Sequence, residues 1–484
     1  MFRTSHYFIV NHVPRWVSVI TTAALVSVFA GSAAAASARP TAHPGLGQAI
    51  AEAGPACKSW SAQPSNVMLG SLNLAGGAAA RACRAGIAGW LPSRGELSPK
   101  SMSSAGLEGV FCTSAASCWA VGYFERNGAW LNNALRWNGH RWSRVAAPSP
   151  GGTVIGDTSE LFGGHCTSAK NCWAVGSYER HGVQFEEAIH WNGKKWSLVA
   201  TPTPGGTLSG DFNELFDVVC NSPDSCWASG EYGTVGTTGM EVIENQALHW
   251  NGKAWSQVTT PNPGGTGPED ANALSDIRCP TARNCWAVGT FGIFTGGGGL
   301  FNEALHWNGN KWSQVGVPDP GGIESGDFNE LEGLSCTSPT SCWATGSDGT
   351  SGSAAVTLNQ AVHWNGHTWS SVSVPQPDGT AAFAGNSLTG VNCSSPGNCW
   401  AVGYVGNFDL VAPILNEALH WNGTHWSMAS IPDPAGSADD DHSTLYGIRC
   451  TSRTNCWAVG QAQPSGESDR SQLVHWNGVR WSAA

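Results

Sequence analysis

Leu161-Phe162-Gly163-Gly164-His165-Cys166, five residues, Cys172-Trp173-Ala174-Val175-Gly176, a further stretch, and then His190-Trp191-Asn192-Gly193-Lys194-Lys195-Trp196-Ser197: this segment decides the fold, because the chain writes it seven times. The leading leucines are Leu107, Leu161, Leu215, Leu274, Leu331, Leu388 and Leu445, so the copies recur every 54 to 59 residues. A unit of that length cannot bury its own apolar face and must stack on its neighbours. Within the unit, Leu161 to Cys166 reads as a first strand and Cys172 to Gly176 as a second. Ala188 to Trp191 reads as a third and Trp196 to Ala200 as a fourth. Asn192-Gly193 is a hairpin signal, because both residues tolerate positive φ. The Pro-Thr-Pro-Gly-Gly run from Pro202 ends the unit. Seven such units predict an all-β, seven-bladed β-propeller with four-stranded blades over residues 107–484.

The composition agrees. Of 484 residues, 62 are glycine and 25 tryptophan, and only 12% are charged, which suits short strands and tight turns rather than helices. Residues 1–36 are set aside from the fold. Arg3 and Arg15 precede an apolar run from Trp16 to Ala30, and small residues follow, the pattern of a secretory signal peptide; an uncleaved anchor is the competing reading. The mature chain is therefore expected outside the cell, soluble, monomeric and not inserted in a membrane. Its formal charge is −11, and about −13 once the two leader arginines are gone, which excludes nucleic acid and anionic membrane as partners.

All sixteen cysteines fall in pairs. Seven pairs have the spacing Cys-x5-Cys: Cys112 with Cys118, Cys166 with Cys172, Cys220 with Cys226, Cys279 with Cys285, Cys336 with Cys342, Cys393 with Cys399, and Cys450 with Cys456. Cys57 and Cys83 make the eighth. In an exported chain this predicts disulfides, whereas zinc sites favour shorter loops and pool two pairs per ion. Each repeated bridge would tie the first strand of a blade to the second across their turn, contributing about 2 kcal/mol on a chain-entropy model.

Twenty-one of the tryptophans sit at three fixed positions per repeat. Stacking on sugar rings is one use for them, but residues identical in every copy most simply pack one blade on the next. Trp130 lies outside the pattern and is the better surface candidate. The histidines His190, His249, His306, His363, His420 and His475 also recur, with Arg136 in the first copy. They have no second ligand at a fixed close offset, which favours a structural hydrogen bond over a metal ring.

The Cys-Trp-Ala-Val-Gly and His-Trp-Asn-Gly elements resemble a repeat of exported actinobacterial-type proteins thought to be propellers. The hairpin at Asn138-Gly139-x-x-Trp142 is similar to the Asp-box turn of sialidase-type propellers, and the period is close to that of kelch repeats. The resemblance covers 107–484 and implies fold and export. Sialidase features are missing: there is no Arg-Ile-Pro element. Every cysteine already has a partner, which leaves none for a kelch-type copper oxidase.

Function is sought where the copies differ. Second-to-third and blade-to-blade connections share one face, and segments such as Glu231 to Asn245, Thr290 to Asn302 and Tyr404 to Asn416 vary in length. That face also reads as acidic. Asp157 and Glu160, Asp211 and Glu214, and Asp327 and Glu330 occupy the blade-to-blade segments, Asp439-Asp440-Asp441-His442 a fourth, and Asn302-Glu303 and Asn416-Glu417 lie nearby. Such oxygens suit hydroxyl-rich sugars or calcium, although no cofactor is required. Solvated loops with a repeated turn motif are the competing reading. The expectation is a non-catalytic module that binds an extracellular glycan or protein, with Asp157, Glu160, Asp211, Glu214, Asp327, Glu330 and Trp130 as candidate contacts. A polysaccharide-acting enzyme using paired carboxylates and a structural or adhesive protein are the alternatives. Residues 37–106, rich in Ala, Gly, Ser and Pro, carry Trp60, Trp90 and one cysteine pair. They are expected to dock on the propeller, where the final blade ends abruptly at Ala484.

Overall fold

Two tight turns and a second-to-third connection that ranges from two residues in the first two blades to longer stretches in the others fold each repeat back on itself, and the computed structural model shows the product as four antiparallel strands. In the first blade these are β1 (Ala105–Ser114), β2 (Ser117–Arg126), β3 (Ala129–Trp137) and β4 (Trp142–Arg144), hydrogen-bonded in that order. The structure describes residues 104–235, 241–293, 299–351, 355–406 and 412–484. Across them the pattern recurs as seven four-stranded sheets, one per repeat. The signal-peptide expectation lies outside the described residues, and so does the expected disulfide between Cys57 and Cys83. The 37–106 segment lies outside them as well, apart from Ser104, Ala105 and Gly106.

The second strand is buried on both faces over Cys118–Tyr123 and its counterparts, which explains its continuous apolar run. Its cysteine lies directly opposite that of the first strand. All seven Cys-x5-Cys pairs are disulfides within their own blades. Cys112 joins Cys118, Cys166 joins Cys172, Cys220 joins Cys226 and Cys279 joins Cys285. Cys336 joins Cys342, Cys393 joins Cys399 and Cys450 joins Cys456. Their Cα atoms are 3.9 to 4.0 Å apart, so each bridge spans a single rung of the hairpin.

The first strands form the inner ring. Each carries a bulge one residue after its leading leucine, as between Leu107 and Gly109 or Leu161 and Gly163. Inner strands approach so closely there that a Cβ on Gly109 would stand 2.4 Å from the Phe162 carbonyl oxygen, and one on Gly163 2.5 Å from that of Phe216.

Tryptophan joins the blades. Trp119 of blade one lies 4.9 Å from Trp191 and 5.0 Å from Trp196 of blade two. The same trio recurs at every joint, through Trp400 with Trp476 and Trp481. Ring closure uses it too: Trp457 packs on Trp137 and Trp142 of blade one. Among the described residues each blade is built from one contiguous stretch, and no strand is exchanged to lock the ring. The repeated histidines face the same tryptophans within their own blades, at 4.4 to 4.7 Å. In five of the six, all but His306, Nε2 bonds the residue before the second cysteine, as in His420 with Asn398 at 2.9 Å and His475 with Asn455 at 2.7 Å.

Two expectations need correction. The strands run farther than the sequence suggested: Glu231, Asn245, Thr290, Asn302, Tyr404 and Asn416 are paired strand residues, not loop. The last blade is also complete. Its outer strand, Trp481–Ala483, is as long as its counterparts, and the Ala484 N–H closes on the Leu473 carbonyl as Val145 does on Ala134.

Candidate functional site

The blade-to-blade loops and the second-to-third turns do share a face. In blade one the Gly156 N–H donates to the Gly128 carbonyl at 2.9 Å, and in blade two Gly210 bonds Gly182 at 3.0 Å. The loops repeat one internal architecture. Asp157 Oδ2 accepts from the Val154 N–H at 2.8 Å, Asp211 from Leu208 at 2.7 Å and Asp327 from Glu324 at 2.9 Å. Asp270 and Asp441 do the same to Gly267 and Ala438. The residue before each aspartate has positive φ: Gly156, Gly210 and Gly326, or Glu269 and Asp440 in the left-handed region. Asn213 and Asn329 complete the clamp, their Oδ1 accepting from Gly205 at 2.7 Å and Gly321 at 2.8 Å. The aspartates therefore shape the loops by accepting from their own backbone.

The glutamates of the same segments are not in the loops. Glu160, Glu214 and Glu330 belong to inner strands, with residual exposures of 7, 9 and 3%. The strand starts just after the aspartate in blades two and three and at Asp327 itself in blade five, so one five-residue segment spans two environments. Glu214 accepts from Ser177 Oγ at 3.1 Å and from Gln184. Burial, then Glu108 and then Glu214 hold the Glu160 carboxyl well above its usual range. Burial alone raises Glu330 to about 7. Glu160 and Glu330 therefore tend toward neutral acids within the inner strands. Glu303 and Glu417 are also buried strand residues rather than surface carboxylates.

What does stand out from this face is aliphatic. Val154, Ile155, Leu208 and Ile323 are 66, 82, 76 and 70% exposed at the tips of three blade-to-blade loops, and Phe383 and Ile293 are each 46% exposed. Only Leu198, Met428 and Val479 are comparably exposed elsewhere among the described residues. Trp130 is half-buried, its ring stacked on Tyr123 at 4.8 Å, and its main-chain N–H donates to the Asp157 carbonyl at 2.9 Å. The Tyr123 hydroxyl reaches Gln461 of blade seven at 2.9 Å.

A charge cluster that sequence reading missed lies toward the other end of the inner ring. Arg278 pairs with Asp217 and, at 2.8 Å, with Asp276. Burial and then Arg278 lower the Arg449 guanidinium to about 10, while Asp217 acts to raise it. The visible signal was aspartate at positions 217 and 276, where other blades place glycine after the bulge. Arg278 and Arg449 face Asp217 and Asp276 in a structural network, in which burial holds the Asp276 carboxyl well above its usual range against the lowering pull of Arg278. His165 beside them is held neutral, chiefly by burial, with a pKa near 3. Among the described residues no group of three or more His, Cys, Asp or Glu could hold a metal ion, and no helix is long and apolar enough to cross a membrane.

No family model matches the chain, and no curated protein does. Solved structures similar to it include the GH74 xyloglucanase from Xanthomonas campestris, at 11% identity over 78% of this chain and 60% of that one, with a TM-score of 0.40. This chain thus spans about 60% of that enzyme's length. Others are the β-propeller domain of the Trilobed protease from Pyrococcus furiosus (8% identity, 78% and 97% covered, TM-score 0.45) and the GH93 α-L-arabinofuranosidase of Fusarium graminearum (11%, 64% and 91%, TM-score 0.39).

Proposed function

We propose that this chain is a secreted, non-catalytic binding module that docks a protein partner on its variable-loop face. The observation that carries the reading is the distribution of exposed apolar side chains. Six of the nine large ones among the described residues sit on that single face. The acids of the same segments are turned into loop backbones or the channel wall. Aliphatic tips on rigid loops give contact area and desolvation, which favours a protein surface over hydroxyl-rich sugars. Seven disulfides suit an oxidising, extracellular setting.

The test compares retention of the purified chain on cell envelopes before and after protease treatment of those envelopes. Retention that is protease-sensitive, and lost in the triple variant Ile155→Ser, Leu208→Ser, Ile323→Ser, supports the proposal. Retention that survives protease and the serine variant, but is lost in the triple variant Glu160→Gln, Glu214→Gln, Glu330→Gln, would move the ligand to a glycan at the channel mouth.

A further inference from the structure

The third strand of every blade carries a polar pair in mid-strand: Asn132-Asn133, Glu186-Glu187, Asn245-Gln246, Asn302-Glu303, Asn359-Gln360, Asn416-Glu417 and Ser471-Gln472. Successive side chains point to opposite faces, so one member meets the next blade and the other the previous blade. Across the joints, Asn132 Nδ2 donates to Glu187 Oε1 at 2.6 Å and Asn245 to Glu303 at 2.6 Å. Asn302 donates to Gln360 at 2.8 Å, Asn359 to Glu417 at 2.7 Å and Asn416 to Gln472 at 3.1 Å.

Where the second member is glutamine, its nitrogen turns onto main-chain carbonyls of its own blade. Gln360 Nε2 donates to Glu330 O at 2.9 Å and Ser347 O at 2.6 Å, and Gln472 Nε2 to Thr444 O at 2.5 Å. Gln246, with its amide turned to donate, reaches Glu214 O and Glu231 O at 3.1 Å each. The glycine of Cys-Trp-Ala-x-Gly leaves that carbonyl free, since a Cβ on Gly346 would lie 1.9 Å from Glu330 O.

Three joints place glutamate where these glutamines stand. Glu187 is opposite Gly176, Glu303 opposite Gly289 and Glu417 opposite Gly403, as Gln360 is opposite Gly346. In each, Oε1 takes the asparagine's hydrogen bond, while Oε2 is buried with no partner. By register, Oε2 occupies the place of the amide nitrogen, against carbonyl oxygens. Two acceptors repel there unless one carries a proton.

We propose that Glu187, Glu303 and Glu417 are neutral acids whose Oε2–H donates to the main-chain carbonyls, so that three alternate joints of the ring are latched by protons. Glu186 makes a fourth latch between blades two and three. The Gln246 nitrogen is committed to carbonyls, so its oxygen faces Glu186, which must donate.

Burial points the same way. It raises Glu186 and Glu417 to about 8, and Glu187 and Glu303 well above their usual range. The hydrogen bonds from Asn132, Asn245 and Asn359, and the backbone hydrogen bond on Glu186, act in the opposite direction and are outweighed. The titratable group in electrostatic contact with Glu186 and Glu187 is Tyr178 of their own blade, which also feels Arg180. No charged side chain contributes to the shifts of Glu303 or Glu417.

The sign follows from linkage. Unfolded glutamate ionises near pH 4.3 and the latched acid keeps its proton. The stabilisation is complete below pH 4.3 and is lost as pH rises through the folded pKa values. Above about pH 6.5 histidine is neutral in both states, so this loss is seen with little histidine contribution. Each latch lowers the folding equilibrium constant about tenfold per pH unit until its folded pKa is reached. Chemical unfolding of the full chain from pH 6.5 to 9 should show this loss, and the slope should fall in the triple variant Glu187→Gln, Glu303→Gln, Glu417→Gln. That variant should match wild type only near pH 4.3 and be more stable than it at pH 6.5, because glutamine already serves in the alternate joints and does not ionise on unfolding. Infrared spectra of the wild type at pH 7 should show protonated carboxyl groups that the variant lacks. An unchanged pH slope, a variant destabilised at pH 6.5, or no protonated-carboxyl signal from the wild type would each overturn the proposal.

Discussion

Trp457 of the last blade and Trp137 of the first lie with ring centroids 5.0 Å apart, so the two ends of the repeat array meet through the same contact that joins consecutive blades. The corresponding internal contact, Trp227 with Trp307, measures 4.8 Å. With no exchanged strand among the described residues, closure rests on this packing and on a few hydrogen bonds: the Ala105 N–H to the Asp469 carbonyl at 3.0 Å, Ser104 Oγ to Asp469 Oδ2 at 2.8 Å and the Tyr123 hydroxyl to Gln461 at 2.9 Å.

Trp457→Ala and Trp227→Ala should therefore destabilise the ring alike, each by about 3–5 kcal/mol, the usual cost of emptying a buried tryptophan site. Denaturant unfolding of the two variants checks this. A much smaller loss for Trp457 would show that the closing joint is not equivalent to the others.

Arg136 replaces the repeated histidine in blade one, with its guanidinium carbon 5.6 Å from the centroids of both Trp119 and Trp191. Arg136→His should cost under about 0.5 kcal/mol, since imidazole fills this place in the other six blades. Arg136→Ala should cost about 0.5–2 kcal/mol through the lost cation–π contact. Equal losses in both variants would mean that the ring face contributes nothing there.

The closing joint lacks one feature of the others. Ser471 and Asn133 stand where the other joints pair longer polar side chains, and Ser471 Oγ and Asn133 Oδ1 are both buried without a partner. Ser471→Asn with Asn133→Gln would restore the Asn416–Gln472 arrangement. Its expected effect is a gain of about 1–2 kcal/mol from one joint bond and the relieved acceptor, read as a raised unfolding midpoint at an unchanged slope. A loss would show that this joint is too wide for the amide pair.

The fold was legible because repetition exposes it: the cysteine spacing fixed the first hairpin, and the tryptophan triplets fixed how blades stack. The site was less legible for a geometric reason. In Gly-Asp-Phe-Asn-Glu the turn ends after the aspartate and the inner strand begins at Phe212, so Asp211 and Glu214 share a motif but not a surface. Sequence gives the acidity of both and hides the boundary between them. The Asn-Gln and Asn-Glu pairs lay in what read as variable segments, although their constant offset before the histidine was visible. Burial of a polar pair is a property of the neighbouring blade, which one repeat cannot reveal. The aliphatic tips looked unremarkable for the same reason, since exposure depends on what the loop clamps beneath them.

Those clamps make a testable link between loop shape and binding. Asp211→Ala leaves the Leu208 N–H without its acceptor and should cost about 1 kcal/mol of stability. It should also weaken partner retention by displacing Leu208, although the carboxylate accepts from the loop itself. Asp211→Asn keeps an acceptor oxygen and should bind nearly as wild type. Equal loss in both would indicate that the charge itself touches the ligand.

Acid stability should be governed by histidine. His165 Nδ1 accepts from the Cys220 N–H of the next blade at 3.3 Å, and its pKa lies near 3, far below the unfolded value of about 6.5. A depressed folded pKa means that stability is fully present above about pH 6.5 and is lost as pH falls toward 3. His190, His249, His306, His363, His420 and His475 are also lowered by burial and act in the same sense. The latching glutamates oppose them between about pH 6.5 and 4.3, so only a paired comparison isolates one histidine. Asn392 and Ser335 supply the equivalent acceptor to Cys450 and Cys393 at 2.9 Å, and neither titrates. His165→Asn should therefore retain the inter-blade bond and gain about 1–3 kcal/mol over wild type at pH 4, with little difference at pH 7.5. Unfolding both proteins at the two pH values decides it. A variant equally destabilised at both would show that the imidazole is needed for packing rather than as a neutral acceptor.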